Sequence, residues 1–316
     1  MDLSKYNGKI VLVTGGAGFV GTNLCNSLIS FGAEVHVIYK KEYANQQTVN
    51  INLFTYSLDI TNKEKVLDFF KKIKPDIIFH LAADICRDRE VINFQNLIDT
   101  NVLGLLHLLE SLFILEYKVP IIIAGTAEEY GNGKLPFKEE MRENPVSPYS
   151  FSKAMATHMA KTFYNIYSFP IAILRATVAY GPGQKGNMFI PSIIQTIAGN
   201  NDFEMTQGEQ TRDFIFIEDL VQAYLYAGLS MDKIAGKIIN IGYGKSYKIK
   251  DVAKKIGKLM DKTNSIRYGV KPYRPSEVMD YSVDITRAKK LLGWEPKTDL
   301  DNGLKKTIGN FDGHET

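Results

Sequence analysis

The sequence predicts an α/β fold, a doubly wound parallel sheet followed by a smaller C-terminal α/β lobe. Three observations predict it. Six short β-branched or aromatic runs recur between helical patterns, the connections between them are short, and a glycine cluster stands at the first strand-to-helix turn. Strand and helix in strict alternation imply right-handed crossovers and hence parallel strands covered on both faces.

Taken in order, Ile10–Val13 is uncharged and β-branched, as a strand buried on both faces requires. A helical pattern follows from about Gly21 to Ser30. Val35–Ile38 and Phe54–Leu58 read as the second and third strands, with an amphipathic helix over Lys63–Ile73. Ile77–Leu81 is the fourth strand and Leu97–Leu115 a long apolar helix, interrupted by His107 and Glu110 and so too short and polar to span a bilayer. Ile121–Ala124 is the fifth strand, Pro148–Tyr167 another long helix, and Ile171–Leu174 the sixth strand. After Ala176 the rhythm changes. The YGPGQKGN stretch reads as a loop, and shorter elements follow at Phe214–Ile217, Lys237–Ile241 and Val252–Met260. The expected division is a nucleotide-binding unit over 1–176, with segments from about 210–240 returning to it, and a second lobe over 177–316.

The chain of 316 residues carries a net charge of +3 and only two cysteines, Cys25 and Cys86. These values exclude a disulfide scaffold and give no sign of nucleic-acid binding. No signal sequence is legible at the N-terminus, so a cytoplasmic protein is expected. The five histidines show no ligand spacing, and no metal is expected.

The first strand runs into Thr14-Gly15-Gly16-Ala17-Gly18-Phe19-Val20-Gly21. Gly15, Gly18 and Gly21, or Gly16, Gly18 and Gly21, let the backbone approach a pyrophosphate at a helix N-terminus, which is the Rossmann dinucleotide signature. The second strand ends in Tyr39, Lys40 and Lys41, where an acidic residue often holds the adenosine ribose. Lysines there attract a 2′-phosphate, so the expected cofactor is NAD(P), with a lean toward NADP.

Tyr149 and Lys153 stand four apart on a helical pattern and share one face. An ammonium beside a phenol favours the phenolate, giving a proton-exchanging group near neutral pH. Thr126, just past the fifth strand, sits at the carboxyl edge where such sheets bind ligands. Glu128 and Glu129 follow it, and Glu128 is the candidate for further acid–base work.

With these residues in place, the chain resembles the extended short-chain dehydrogenase/reductases, and among them the nucleotide-sugar epimerases, dehydratases and 4-keto reductases. Asp59-Ile60, His80-Leu81-Ala82-Ala83, Asn101, Tyr130-Gly131, Tyr180-Gly181-Pro182, Asn187, Arg212-Asp213-Phe214 with Asp219, Arg274-Pro275 and Leu292-Gly293-Trp294 add to the likeness. The resemblance implies that Asp59 and Ile60 lie by the adenine and that Leu81, Ala82 and Ala83, with Asn101, line the cofactor cleft. It also implies that Tyr149 is the acid/base at the sugar C4 hydroxyl, that Lys153 holds the nicotinamide ribose, and that Asn187, Arg212 and Arg274 bind the substrate diphosphate. Guanidinium forks suit phosphate on physical grounds as well. The 4,6-dehydratases resemble this chain at Glu128 but usually carry Asp, Ser or Thr where it has Ala127. The GTAEEYG and Arg274–Val278 stretches resemble GDP-sugar enzymes. The expected reaction is therefore C4 redox of a nucleotide-linked hexose, with GDP the favoured nucleotide, as a 4-dehydrogenase or 4-keto reductase. A 4,6-dehydratase is the first alternative and a 4-epimerase the second. The two long apolar helices further predict a homodimer.

Overall fold

The computed structural model describes residues 1–40, 52–86, 88–185 and 188–311. Its strands are β1 (Ile10–Thr14), β2 (Glu34–Tyr39), β3 (Leu53–Ser57), β4 (Ile77–His80), β5 (Ile121–Thr126), β6 (Ile171–Ala176), β7 (Val178–Tyr180), β8 (Phe203–Glu204), β9 (Thr211–Phe216), β10 (Ile238–Ile241), β11 (Ser246–Lys248) and β12 (Ile266–Arg267). The main sheet has seven strands in the order β3-β2-β1-β4-β5-β6-β10. Every neighbouring pair in it is parallel. The order reverses between β1 and β4, which opens a crevice at their carboxyl ends. A three-stranded sheet, β11-β9-β7, and the β12-β8 pair lie outside it.

The apolar runs read as strands because both faces of the sheet are covered. Val11, Val13, Ile77, Phe79, Ile122, Ala172 and Leu174 belong to one core cluster. Their chain neighbours Leu12, Ile78, Ile121, Ile123, Ile171 and Ile173 belong to the other. This period of two is what a pleated strand imposes. The first cluster continues without a break into Phe214, Ile215 and Phe216 of β9.

The helices that matter for the site are α1 (Phe19–Ser30), α2 (Lys63–Lys72), α3 (Asn93–Ile98), α4 (Gly104–Ile114), α5 (Pro148–Tyr167), α6 (Phe189–Ala198) and α7 (Ile217–Gly228). Three differences from the sequence reading have physical reasons. The helix expected from Gly21 already begins at Phe19, because Gly18 is its cap. The short element expected over Phe214–Ile217 is the end of β9, which begins at Thr211 and stops at Phe216, because Ile217 opens α7 with Glu218 and Asp219 in its first turn. The helix expected over Leu97–Leu115 begins at Asn93 and passes through a π-helical segment at Asp99–Leu103 that loosens its periodicity. That run of 22 residues is long and apolar enough to cross a membrane by length and composition, but half of its most apolar window is buried inside this chain.

Candidate active site

The crevice is built from the ends of β1 and β4. Gly15 sits at φ +71°, and a Cβ there would come within 2.7 Å of the Ala82 backbone nitrogen. A Cβ on Gly21 would lie 2.3 Å from the Gly15 carbonyl oxygen. Thr14 Oγ1 accepts from Ala82 N–H at 3.2 Å and shares a hydrogen bond with His80 Nδ1 at 2.9 Å, and Leu81 N–H donates to Thr14 O at 3.0 Å. Leu81 and Ala82, with Ala83 after them, are thereby drawn against the glycine turn. Gly18 caps α1 without a side-chain hydrogen bond, so no cap side chain occupies the first-turn N–H groups at Phe19 and Val20. The residues present fit the pyrophosphate of a nicotinamide dinucleotide.

At the carboxyl end of the second strand, Tyr39 closes β2 and Lys40 Nζ lies 3.5 Å from Asp59 Oδ2. Burial pushes the Asp59 carboxyl up, but bonds from Thr61 N–H and Oγ1 and the charge of Lys40 outweigh it and hold it below the usual range. Lys40, on which the NADP reading leaned, is therefore already facing a carboxylate. Lys41 lies outside the described residues. Ile60 is buried in the core, in contact with Gly104 of α4.

The catalytic candidates come from β5 and α5. Ser147 caps α5 through a reciprocal pair with Ser150, and Pro148 occupies the first turn. Tyr149, Lys153 and Thr157 follow at successive turns on one face. Tyr149 is half-buried, whereas Lys153 is only 5% exposed. Burial pushes the Lys153 ammonium down to about 8, and the Glu129 carboxylate acts in the opposite direction. His80 is pushed down to about 3 by burial and by Lys153, so its ring is neutral at physiological pH.

Thr126 caps a short 3-10 turn over Ala127–Tyr130. Its Oγ1 accepts from Glu128 N–H at 3.2 Å, which leaves its own O–H for a ligand oxygen. Ala127 is fully buried in an apolar cluster with Tyr130, Phe137, Tyr281 and Val283. Glu128 is half-buried. Its neighbour is not a solvated carboxylate: Glu129 is fully buried and accepts from Thr126 N–H, Thr157 Oγ1 and the Arg175 guanidinium. Asn101 stands in the π-helical segment, 2% exposed. It donates to Asp84 O and Ser152 Oγ and accepts from Asp84 N–H, so it braces the loop after β4 against α5.

The segment after β6 supplies the arginines. Arg212, on β9, bonds the carbonyls of Thr211 and Val278, each at 2.7 Å, and the Glu277 carboxylate, and lies over the Tyr281 ring. Arg274 is exposed on the loop beside it. Asn187 lies outside the described residues. Asp213, next to Arg212, is buried, and burial pushes its carboxyl up to about 6 against hydrogen bonds from Tyr243 and Gly244.

Sequence reading did not single out Tyr281. It is buried where Glu128, Arg212, Asp213 and Tyr149 all act on it, and burial above all keeps its hydroxyl protonated. Nothing local in the sequence marks it. Glu129 could have been found, because Thr126-x-x-Glu129 has the spacing of a capping box.

The family described as GDP-mannose 4,6 dehydratase matches residues 12–307. A dTDP-glucose 4,6-dehydratase of Haemophilus influenzae is 30% identical over 94% of this chain and 96% of its own. A UDP-glucuronate 4-epimerase of Thermodesulfobacterium geofontis is 29% identical over 94% of each chain. The solved structure of UDP-glucuronic acid 4-epimerase from Bacillus cereus, in complex with UDP-glucuronic acid and NAD, superposes with a TM-score of 0.87 at 26% identity, over 95% of this chain and 98% of its own. The seven-stranded parallel sheet, the close-packed glycine turn over Gly15–Gly21 and this match over nearly the whole length agree, and the chain belongs to the extended short-chain dehydrogenase/reductase family, in its group of nicotinamide-dependent nucleotide-sugar-modifying enzymes.

Proposed function

We propose that the protein carries out oxidation–reduction at C4 of a nucleotide-linked hexose and does not eliminate water from C5 and C6. The observation that carries this reading is Ala127, whose methyl group is fully buried among Tyr130, Phe137, Tyr281 and Val283 and can protonate no leaving hydroxyl. Tyr149 exchanges the proton of the C4 hydroxyl, with the Lys153 ammonium favouring the phenolate. Thr126 donates to the same oxygen. Arg212 and Arg274, with Asn187, bind the diphosphate, which places the sugar between the two lobes. Gly15, Gly18, Phe19, Val20 and Gly21 would hold the cofactor pyrophosphate, Tyr39, Lys40, Asp59 and Ile60 the adenosine end, and Leu81, Ala82, Ala83, Asn101 and Lys153 the nicotinamide end. When bound, the nicotinamide supplies the redox chemistry at the sugar carbon.

The cofactor is read as NAD. The Asp59 carboxylate beside Lys40 disfavours a 2′-phosphate, and the Bacillus cereus structure carries NAD. The GDP linkage rests on the Arg274–Val278 stretch and on the family's description, while the relatives named above act on dTDP and UDP sugars. A 4-epimerase is the second reading, because it needs no acid at Ala127 and because epimerases stand among the relatives. One experiment tests all of this. The protein is incubated with GDP-mannose, UDP-glucose, UDP-glucuronic acid and dTDP-glucose, with NAD and with NADP, and products are read by mass spectrometry. A product two hydrogens lighter, faster with NAD, is expected. An isomer of unchanged mass selects the epimerase, and loss of water overturns the C4-only reading.

We further infer a homodimer formed by the helical run Asn93–Ile114 and α5. Leu103, Phe113 and Ile114 on the first and Phe151, Ile166 and Tyr167 on the second are exposed apolar side chains. Phe113 and Tyr167 are 4.9 Å apart between ring centroids, and Phe94 and Phe151 5.7 Å, so aromatic contacts join the two helices at each end of a shared face. A second copy of the same face covers it by two-fold symmetry. Light scattering is expected to give the mass of two chains, and Ile166→Glu to shift it toward one. A wild-type mass of one chain rejects the dimer.

A further inference from the structure

Behind Tyr149 and Lys153 lies a buried charge network that the reading above does not use. Glu129 is fully buried and its carboxylate is saturated. Oε1 accepts from Thr126 N–H at 2.9 Å, and Oε2 accepts from Thr157 Oγ1 at 2.8 Å and from Arg175 Nε at 2.9 Å and lies 2.7 Å from Arg175 Nη2 as an ion pair. Thr126 is the corner of β5, Thr157 is one turn beyond Lys153 on α5, and Arg175 is on β6. One side chain thus ties the two elements that carry the catalytic candidates. Arg175 is itself fully buried. Its guanidinium also bonds Glu143 at 2.5 Å and lies 4.5 Å from the centre of the Tyr130 ring, and its Nη1 has no partner among the described residues.

A buried ion pair of this kind contributes little net stability, because removing both charges from water costs about what their attraction returns. Stability alone is therefore a weak account of it. Its placement supplies a better one. Lys153 is buried with no carboxylate on its own helix face. The titratable groups facing it are Tyr149 from α5, His80 from the end of β4 and Glu129 from the turn after β5, with Tyr224 of α7 behind Tyr149. His80 is neutral, and of these groups Glu129 is the one that supplies negative charge. Arg175, Glu143 and Tyr130 in turn face Glu129, and Glu143 lies 3.3 Å from the exposed His158.

We propose that Glu129 is a positioning residue for the Thr126–Tyr149–Lys153 set: its carboxylate, locked by Arg175, fixes the Thr126 corner against α5 and keeps negative charge behind the Lys153 ammonium. It touches neither substrate nor cofactor, and it acts through the residues that do. The inference rests on the acid–base reading of Tyr149 given above.

The test uses the full-length protein and two variants. Glu129→Gln removes the charge and keeps the shape. Glu129→Val combined with Arg175→Met removes the whole pair, and apolar replacement of a buried pair is usually tolerated by the fold. The first readout needs no substrate: the Cε chemical shift of Lys153 in isotope-labelled protein, assigned by its loss in Lys153→Met, is followed against pH. In both variants the midpoint is expected to fall by about one pH unit. The second readout is the rate with the fastest member of the sugar panel. Its decline at high pH is expected to move down by the same amount, with kcat reduced at least about tenfold and the NAD dissociation constant changed by less than about twofold. Glu129→Asp, which keeps the charge, should restore the midpoint. A folded variant whose Lys153 midpoint and rate profile match wild type overturns the proposal. A shifted midpoint in company with a fully active Tyr149→Phe instead overturns the acid–base reading while leaving the charge coupling intact.

Discussion

Tyr149→Phe is expected to lower kcat by about 10²–10⁴-fold and to leave NAD binding and melting temperature unchanged. The ring stays, so the packing of the half-buried side chain at the start of α5 is preserved, and only the oxygen that exchanges the proton is lost. The size of the effect depends on Lys153. Burial lowers the Lys153 ammonium to about 8, so at neutral pH most of it still carries charge and favours the Tyr149 phenolate. Above pH 8 that charge is shed, and the wild-type rate is expected to fall. Thr126 retains its donor hydroxyl in the variant and accounts for the residual rate. His80 cannot substitute, because its ring stays neutral down to about pH 3. The check is steady-state turnover of the responsive panel sugar, with NAD titrated by protein fluorescence. A variant that keeps more than about a tenth of the wild-type kcat removes Tyr149 from the acid–base role.

What the sequence reveals of this site depends on how far apart its partners lie in the chain. The glycine turn is contiguous, and Tyr149 and Lys153 are one helical turn apart, so local spacing is enough to find them. Thr126 is legible because it ends an apolar run at the carboxyl edge of the sheet. The bonds that hold these groups are not local. Glu129 and Arg175 are 46 residues apart, and Arg212 and Glu277 are 65. No periodicity connects such residues, and only the sheet order β4-β5-β6 brings Glu129 to Arg175. The same limit applies to the fold. The first six strands are visible because each is buried on both faces and carries a distinct composition. β10 falls at the end of the stretch expected to return to the nucleotide-binding unit, but nothing local in its residues says that it pairs with β6. Lys40 shows the converse limit. Its charge was legible and suggested a 2′-phosphate, but its partner Asp59 comes from the end of the next strand.

Replacing Arg175 alone should be the most damaging single change to the fold. Arg175→Met takes from Glu129 the guanidinium it is paired with, leaving only the more distant Lys153 ammonium, and leaves Glu143 with His158, while Glu129 stays wholly enclosed. Breaking a buried pair by removing one partner typically costs about 3–5 kcal/mol, because the surviving charge stays out of water. The pH dependence follows from Glu143. Burial pushes its carboxyl up, but Arg175 and His158 outweigh this and hold it below the usual range. A carboxyl depressed in the folded state adds stability above its unfolded value of about 4.3 and loses it as pH falls through the folded value. Wild type has this contribution and Arg175→Met does not. The stability gap between them is therefore widest at neutral pH and narrows below about pH 4. Urea unfolding at several pH values measures it. The double variant Glu129→Val, Arg175→Met, which leaves no enclosed carboxylate at position 129, is expected to recover most of the loss at neutral pH. If the single and double variants are equally unstable, the cost lies in the lost packing of the guanidinium over the Tyr130 ring and not in the uncompensated charge.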